Sequence, residues 1–394
     1  HERQRIWPDT EVEVSGGTSF DLGRFNVGLV GVAGYDSSWS TQIAQRGIGS
    51  TQGGVFTIGE DKESFTTSWD VTTNALASGT IGWDESEVSL TGLYIHTGTK
   101  EAQQVVGYDF NLPGGTPDEQ VGYRESTGWY ERELAMVQLA GEHRFGDFGV
   151  DWRVAQAQST RDAPYERSVN FLVDENGPFY GRANDNSTRF SALTDDVFSG
   201  GFDLSYTLAV SDSRDFVFSA GYDHSNTERQ YDAFTFVFGG GSGLPARARV
   251  DYLFSPDNID AARFEIFELT GPDDSYVGEL TVNAGYAAAD MEILPLLRAA
   301  IGVRYEQGEQ AVVTFNRYGA ASTPAAAPIE NEYWLPAATL TWNFAENLQF
   351  RFGYSQTIAR PQFRELALSP YSDPETDRNY RGNPYLIDTE LTNY

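Results

Sequence analysis

The chain has 394 residues and a formal net charge of −30, because 57 acidic side chains outnumber 27 basic ones. It contains no cysteine, which excludes disulfide-stapled and zinc-ribbon proteins, and its acidity disfavours a nucleic-acid partner, itself a polyanion. Hydrophobic residues make up 40% and aromatic residues 14% of the chain, so wholesale disorder is also excluded.

Six tight polar turns divide the chain, and each is flanked by runs in which apolar and polar residues alternate. A short turn between alternating runs predicts a β-hairpin, so the six turns predict about twelve strands. In chain order the turns fall at 21–24, 84–87, 146–149, 211–215, 294–297 and 345–348. Long irregular segments, predicted to be loops, fall at 40–63, 111–127, 165–194, 239–275, 317–330 and 364–387.

The alternation gives each run one apolar and one polar face. In 298–306, Ile301 and Val303 fall on one face, whereas Arg304 and Glu306 fall on the other. A soluble β-sandwich would show the same alternation. The runs are, however, longer than the usual five or six residues of a globular strand, and the turns are short at one end of the sheet and long at the other, as in outer-membrane barrels.

Aromatic residues concentrate beside the short turns, where a membrane interface would lie. A lipid-exposed sheet must also close, because unpaired edge groups are costly in hydrocarbon. The sequence therefore predicts an all-β fold, an antiparallel transmembrane β-barrel with short periplasmic turns and long outer loops. The aromatic residues of the predicted girdle are Phe20, Phe25, Trp83, Phe145, Trp152, Phe216 and Phe344.

The most specific motif lies near the C-terminal end, where 354–366 reads YSQTIARPQFREL and 381–394 reads RGNPYLIDTELTNY. This pattern resembles the barrel of TonB-dependent outer-membrane receptors of alphaproteobacterial type. In that family a strand ending in YS-x-T-x-ARP-x-F-x-x-L is followed by GNP-x-L and an acidic residue. Segment 334–340 resembles the preceding strand of the same family.

The motif residues have a structural interpretation. Pro361 has no backbone N–H to donate to a neighbouring strand, so it suits the point where a strand leaves the sheet. Gly382, Asn383 and Pro384 are residue types that favour a turn, here before the next strand. We therefore predict that these residues and Arg360 are architectural.

The resemblance implies active import of a siderophore, vitamin or carbohydrate across the cell outer membrane, and no enzyme activity. It implies a barrel of about 22 strands around an N-terminal plug, energised by the TonB system. The expected partners are outer-membrane lipid, TonB, a small-molecule ligand and a surface lipoprotein on the loops. With about twelve strands, residues 1–394 are interpreted as a partial barrel domain that lacks the plug and the closing strands.

Two alternatives stay open at this stage. A self-contained passive channel or porin of about twelve to fourteen strands would need neither plug nor TonB. A soluble β-rich surface protein or adhesin would instead turn its apolar faces inward.

Candidate site residues fall into two groups. Aromatic side chains in the outer segments would stack on sugar rings or flat chelators, or else pack the loops together; they are Trp129, Tyr130, Tyr165, Phe179 and Tyr180. Charged residues on the polar face would line the lumen, contact a plug or pair within the wall; they are Arg144, Arg153, Arg298, Arg304, Arg351 and Glu306.

The sequence predicts no catalytic, cofactor or metal site. The four histidines lie far apart, and motifs such as His-Glu-x-x-His are missing from the sequence. Acidic segments such as 174–177 do not match a calcium loop. The net charge of −30 favours a neutral or cationic ligand over a bare anion.

Overall fold

The computed structural model describes residues 6–112, 119–181, 185–211, 214–241, 243–260, 262–315, 323–324, 328–345, 347–373 and 378–394. The strands are β1 Thr10–Leu22, β2 Phe25–Gln52, β3 Val55–Trp83, β4 Ser86–Asp109, β5 Val121–Phe145, β6 Phe148–Asp174, β7 Gly177–Phe179, β8 Asn186–Ser211, β9 Arg214–Gly240, β10 Phe264–Glu268, β11 Ser275–Leu294, β12 Leu297–Phe315, β13 Thr323–Pro324, β14 Ile329–Ala345, β15 Leu348–Ala359, β16 Pro370–Asp373, β17 Arg378–Arg381 and β18 Thr389–Asn393. Two one-turn helices, α1 Val250–Leu253 and α2 Phe363–Leu366, and a 3-10 turn at Pro256–Asn258 complete the elements of the described residues.

Sixteen of the eighteen described strands form one antiparallel sheet, in which strands that follow each other along the chain pair with each other. Thirteen strands follow one another across the sheet. Three short strands lie outside this order: β7 pairs with β6, β10 with β9 and β13 with β12. Strands β16 and β17 form a separate hairpin. Within the described residues no ladder joins β1 to β18, so the sheet is a partial, unclosed barrel.

All six predicted hairpins are present, and consecutive strands meet at each of the predicted short turns. The backbone explains two of these turns directly. Gly23 has a φ of +67° and Asp84 has a φ of +49°, values that two-residue hairpin turns require and that glycine and aspartate tolerate best. The estimate of twelve strands was one short of the main path, because β18 adds a strand after the last hairpin.

The prediction of a loop at 40–63 was wrong. Strand β2 continues to Gln52, and β3 begins at Val55 after the tight turn of Gly53 and Gly54. The alternation is hidden there because polar residues occupy both faces of the hairpin. Strand β3 has 29 residues, far more than the roughly ten that a β-strand needs to cross a bilayer.

The sheet has one apolar and one polar face, as cross-strand partners share a face. Ile301 is 53% exposed and Val137 is 54% exposed, and both lie on the apolar face with the predicted girdle residues. So large an exposed apolar surface indicates a non-aqueous contact. The six predicted charged residues, including Arg153 and Arg304, share the opposite face.

Compact cores lie near the end of the sheet opposite the short turns. One cluster packs β6 and β9 against the segment that contains α1, through Val169, Phe171, Tyr180, Phe238, Leu253, Phe254 and Phe264. A second cluster packs α2 against β11 and β12. No helix in the described ranges is long and apolar enough to cross a membrane.

Candidate functional site

The segment after β15 turns back onto the polar face of β12. The Nη1 atom of Arg360 donates to Oε1 of Glu306 at 2.6 Å, and Nε2 of Gln310 donates to the carbonyl oxygen of Pro361 at 2.9 Å. Gly308 lies between these two contacts, directly under the Arg360 guanidinium, where a side chain would displace it. The Arg360–Pro361 pair therefore anchors the end of β15 to the wall.

Helix α2 completes this anchor by hydrophobic packing. The Phe363 ring covers Gly278 of β11, where a Cβ atom would lie 2.7 Å from the ring. Leu366 and Ala367 pack with Phe363 against Tyr276 and Val312. A reciprocal capping box between Gln362 and Glu365 satisfies the first backbone donors of the helix.

The second half of the motif packs onto the same helix. The backbone N–H of Asn383 donates to the carbonyl oxygen of Glu365 at 2.6 Å. Gly382 approaches the helix so closely that a Cβ atom there would lie 2.7 Å from the same oxygen. These contacts, together with the turn at Pro384, support a structural interpretation of the motif, and its role stays a prediction.

A cavity of about 470 Å³ separates the returning segment from the polar face of β6, β8, β9 and β11. It lies just beyond the level of Tyr165, toward the end of the sheet opposite the short turns. Its lining is rich in arginine and tyrosine and consists of Arg161, Glu166, Arg189, Ser191, Leu193, Arg229, Tyr231, Tyr276, Gln362, Arg364, Ser369, Pro370 and Tyr371.

The arginines of the cavity differ in how they are neutralised. Arg229 forms a two-armed ion pair with Asp195, with N···O distances of 2.6 and 2.5 Å. Arg161, Arg189 and Arg364 have no carboxylate oxygen within 4.0 Å among the residues that the structure describes. The cavity therefore concentrates positive charge in an otherwise strongly acidic chain.

Neutral groups hold these guanidinium groups in place. Nη1 of Arg161 donates to Oγ of Ser191 at 3.0 Å, and Nη2 of Arg189 donates to the Tyr231 hydroxyl at 3.1 Å. Burial lowers the pKa of Arg189, but the neighbouring Tyr231 and nearby carboxylates raise that pKa by more, so the group stays charged. The Arg364 guanidinium lies 5.4 Å from the centre of the Tyr371 ring.

The five predicted ligand-binding aromatics do not form one site. Tyr130 is next to the cavity, because its hydroxyl donates to Glu166 at 3.0 Å and Arg161 lies 5.1 Å from its ring centre. Tyr165 lines a smaller cavity of about 320 Å³ together with Arg167.

Phe179 and Tyr180 lie in the packed outer segments. Tyr180 is buried against Phe254 and Phe264, and its hydroxyl accepts a hydrogen bond from Asn186 at 2.8 Å. The Phe179 ring lies 5.2 Å from the Arg247 guanidinium. For Tyr180 the structure favours loop packing, whereas ligand contact by Phe179 stays a prediction.

Trp129 belongs to a row of residues that crosses the apolar face. The register aligns it with Lys100 and Tyr165, and continues through Trp69 to Trp39. The Lys100 ammonium lies 4.5 Å from the Trp129 ring centre, and the Trp39 and Trp69 rings stack at 5.5 Å. The row crosses the apolar face on the side away from the short turns, and the sequence did not reveal it because its members lie on five different strands.

The predicted lumen residues form ion pairs across the polar face. Arg153 of β6 pairs with Asp203 of β8 at 2.6 Å and also with Asp223 of β9, which in turn pairs with Arg304 of β12 at 3.1 Å. Arg304 continues to Glu306 at 3.0 Å.

The other predicted lumen residues have local partners. Arg144 and Arg298 pair within their own hairpins, with Asp151 and Asp290, both at 2.6 Å, and Arg351 donates to Gln349 at 3.4 Å. Wall-internal pairing thus accounts for the charges of five of these six residues, and contact with a plug stays a prediction. The described residues contain no cluster of acidic, His or Cys side chains that could hold a metal ion.

Comparison with known proteins decides the family. The family model described as TonB dependent receptor-like, beta-barrel matches residues 89–394, most of the chain. The chain belongs to this family. Members of the TonB-dependent receptor family are outer-membrane transporters rather than enzymes.

This chain spans about half the length of two solved structures that it matches. The siderophore receptor PiuA from Acinetobacter baumannii matches 90% of this chain and 50% of its own, with 12% identity and a TM-score of 0.47. The unliganded ferric citrate transporter FecA matches 81% of this chain and 44% of its own, with 8% identity and a TM-score of 0.41. None of the curated proteins matches the sequence.

Proposed function

We propose that this chain is the barrel portion of an outer-membrane receptor that imports a small-molecule ligand with energy transmitted by TonB. The observation that carries the proposal is the family match over residues 89–394. The two-faced antiparallel sheet supports it, because a transmembrane barrel needs an apolar outer surface and a polar lumen. The ligand would be a siderophore, a vitamin or a carbohydrate.

The two faces of the sheet take different roles in this proposal. The apolar face contacts outer-membrane lipid between the girdle at the short turns and the row of Trp39, Trp69 and Trp129. The polar face, with the ion pairs of Arg153 and Arg304, lines the lumen and faces a plug. Because β1 and β18 are unpaired with each other in the described sheet, further strands of the same protein would close the barrel.

Whole-cell uptake tests the proposal. Cells that express the complete gene containing this sequence should accumulate a radiolabelled ferric chelate or another accepted nutrient, and loss of TonB should reduce accumulation to background. An isogenic strain without the receptor gene is the control. Undiminished uptake without TonB, together with ion conductance in planar bilayers, would instead establish a passive channel.

A further inference from the structure

We propose that the cavity between the 361–371 segment and the polar face binds an anionic ligand that carries several carboxylates, either free or as a metal chelate. The inference rests on the proposed function, because it names the chemical class of the ligand that the receptor imports. It is carried by the charge, the preorganisation and the size of the cavity.

The local charge is opposite to that of the chain. Four arginines line the cavity, although the whole chain has 27 basic residues against 57 acidic ones. Asp195 neutralises only Arg229. Two carboxylates act on Arg189 through space, and both are engaged elsewhere: Glu166 accepts from the Tyr130 hydroxyl, and Asp274 accepts from the backbone N–H of Gly271 at 2.6 Å. Glu365, the neighbour of Arg364, accepts from the backbone N–H of Gln362 at 2.8 Å. The cavity thus keeps an excess of cationic groups that an anion would compensate.

The guanidinium groups are held in place, and most of their N–H donors are left available for a ligand. Each guanidinium carries five N–H donors, and the described hydrogen bonds of Arg161 and Arg189 engage one nitrogen atom of each group, through Ser191, Tyr231 and the Pro370 carbonyl. Arg364 lies over the Tyr371 ring and forms no ion pair within the part of the chain that the structure describes. Donors that are already positioned lose little conformational entropy when a ligand binds. This arrangement therefore suits the binding of a ligand better than the formation of ion pairs within the wall.

The shape of a guanidinium group selects the ligand chemistry. Its planar fork matches the two oxygens of a carboxylate in a bidentate hydrogen bond. Three such groups on β6, β8 and α2 approach the cavity from different sides, so one ligand must present more than one carboxylate to satisfy them. The volume of about 470 Å³ lies in the range of small-ligand sites, which is about 300–1,000 Å³, and the rings of Tyr231, Tyr276 and Tyr371 offer flat apolar surface beside the charges.

Calorimetric titration of the full-length receptor tests the inference. The probes are citrate, ferric citrate and ferric EDTA, with inorganic phosphate and an uncharged ferric trihydroxamate for comparison. At least one polycarboxylate should bind more tightly than both comparison ligands. Arg364→Gln and Arg161→Gln should each weaken that binding by about ten- to a hundredfold, because each removes a charge-assisted contact, and high salt should weaken it as well.

The variants were chosen so that folding does not decide the result. Arg364 is exposed on α2 and pairs with no carboxylate in the described residues, so its replacement should leave the barrel intact. Arg24→Gln, in the first short turn and far from the cavity, is the matched control and should bind like the wild type. Binding by ferric but not free citrate would identify a chelate site, and equal binding of both would identify a site for the free anion; both outcomes support the inference.

Three results would overturn it: polycarboxylate binding that both arginine variants retain, phosphate binding as tight as that of citrate, or binding of the uncharged chelate alone. Uptake measurements distinguish failure of the anion-site inference from failure of the proposed function. TonB-dependent uptake of the uncharged chelate that Arg364→Gln leaves unchanged would preserve the function and remove the anion site. Uptake of a carboxylate chelate that needs Arg364 but not TonB would preserve the anion site and overturn the proposed TonB-dependent function.

Discussion

Replacing Glu306 by alanine should destabilise the barrel more than removal of an exposed acidic partner on the same face. Glu306 is 7% exposed and accepts from both Arg304 and Arg360, so Glu306→Ala would remove the described ion-pair partner of Arg360 and leave Arg304 with Asp223 alone. Removing one partner of a buried ion pair costs about 3–5 kcal/mol, and partial exposure of Arg304 brings our expectation to about 2–3 kcal/mol. The measurement is the free energy of unfolding in urea, followed by tryptophan fluorescence in lipid vesicles.

Asp290→Ala is the matched control, because it removes an acidic partner from the neighbouring strand. Asp290 pairs with Arg298, whose side chain is 67% exposed, and exposed ion pairs contribute at most about 1 kcal/mol. Glu306→Ala should also release the end of β15, because Arg360 fixes that segment to β12, and limited proteolysis should then cleave near 360–370. Equal effects of the two substitutions would contradict the structural role of the Arg360 contact.

Placing a charge on the apolar face should have the other large effect. Val137 lies midway along β5 between Phe145 and Trp129, near the centre of the proposed hydrocarbon layer. Val137→Arg should cost about 2–4 kcal/mol of folding free energy, the usual penalty for arginine at the midplane of a barrel. The folded fraction, read from heat-modifiable migration on gels, should fall together with the free energy of unfolding.

The neighbouring residue provides the control for this prediction. Gln138 lies on the polar face, where its cross-strand partners are Thr91 and Ala155, so Gln138→Arg introduces the same charge into a wet environment. Its cost should stay below about 1 kcal/mol, as for a lumen substitution. A larger penalty for Gln138→Arg than for Val137→Arg would reverse our assignment of the two faces.

Local patterns made the hairpins and their faces predictable. Two-residue turns at Gly23 and Asp84 are recognisable because few residues adopt their backbone angles. Period-two alternation then assigns Ile301 and Arg304 to opposite faces without any knowledge of their neighbours. The hairpin of β2 and β3 beyond Trp39 was missed because both of its faces mix polar and apolar side chains, so the period-two alternation is interrupted there.

The cavity could not be predicted because it joins residues that are distant in the sequence. Arg161, Arg189 and Arg364 lie on different elements, and their proximity depends on the return of the 361–371 segment to the polar face. The motif showed where β15 ends, but not that Arg360 pairs with Glu306. The net charge could not locate the cavity either, because a total of −30 does not show where the few cations lie.

The most direct measurement places a thiol on each face of β9. The chain contains no cysteine, so Phe218→Cys and Ser219→Cys each introduce a unique label site here, and Phe218 and Ser219 are adjacent residues on the apolar and polar faces. In the full-length receptor in lipid vesicles, a fluorophore at position 218 should be quenched by nitroxide lipids and protected from iodide. At position 219 the lipid quencher should have little effect. Iodide quenching at position 218 without any effect of the lipid quencher would contradict the assignment of the apolar face to the membrane.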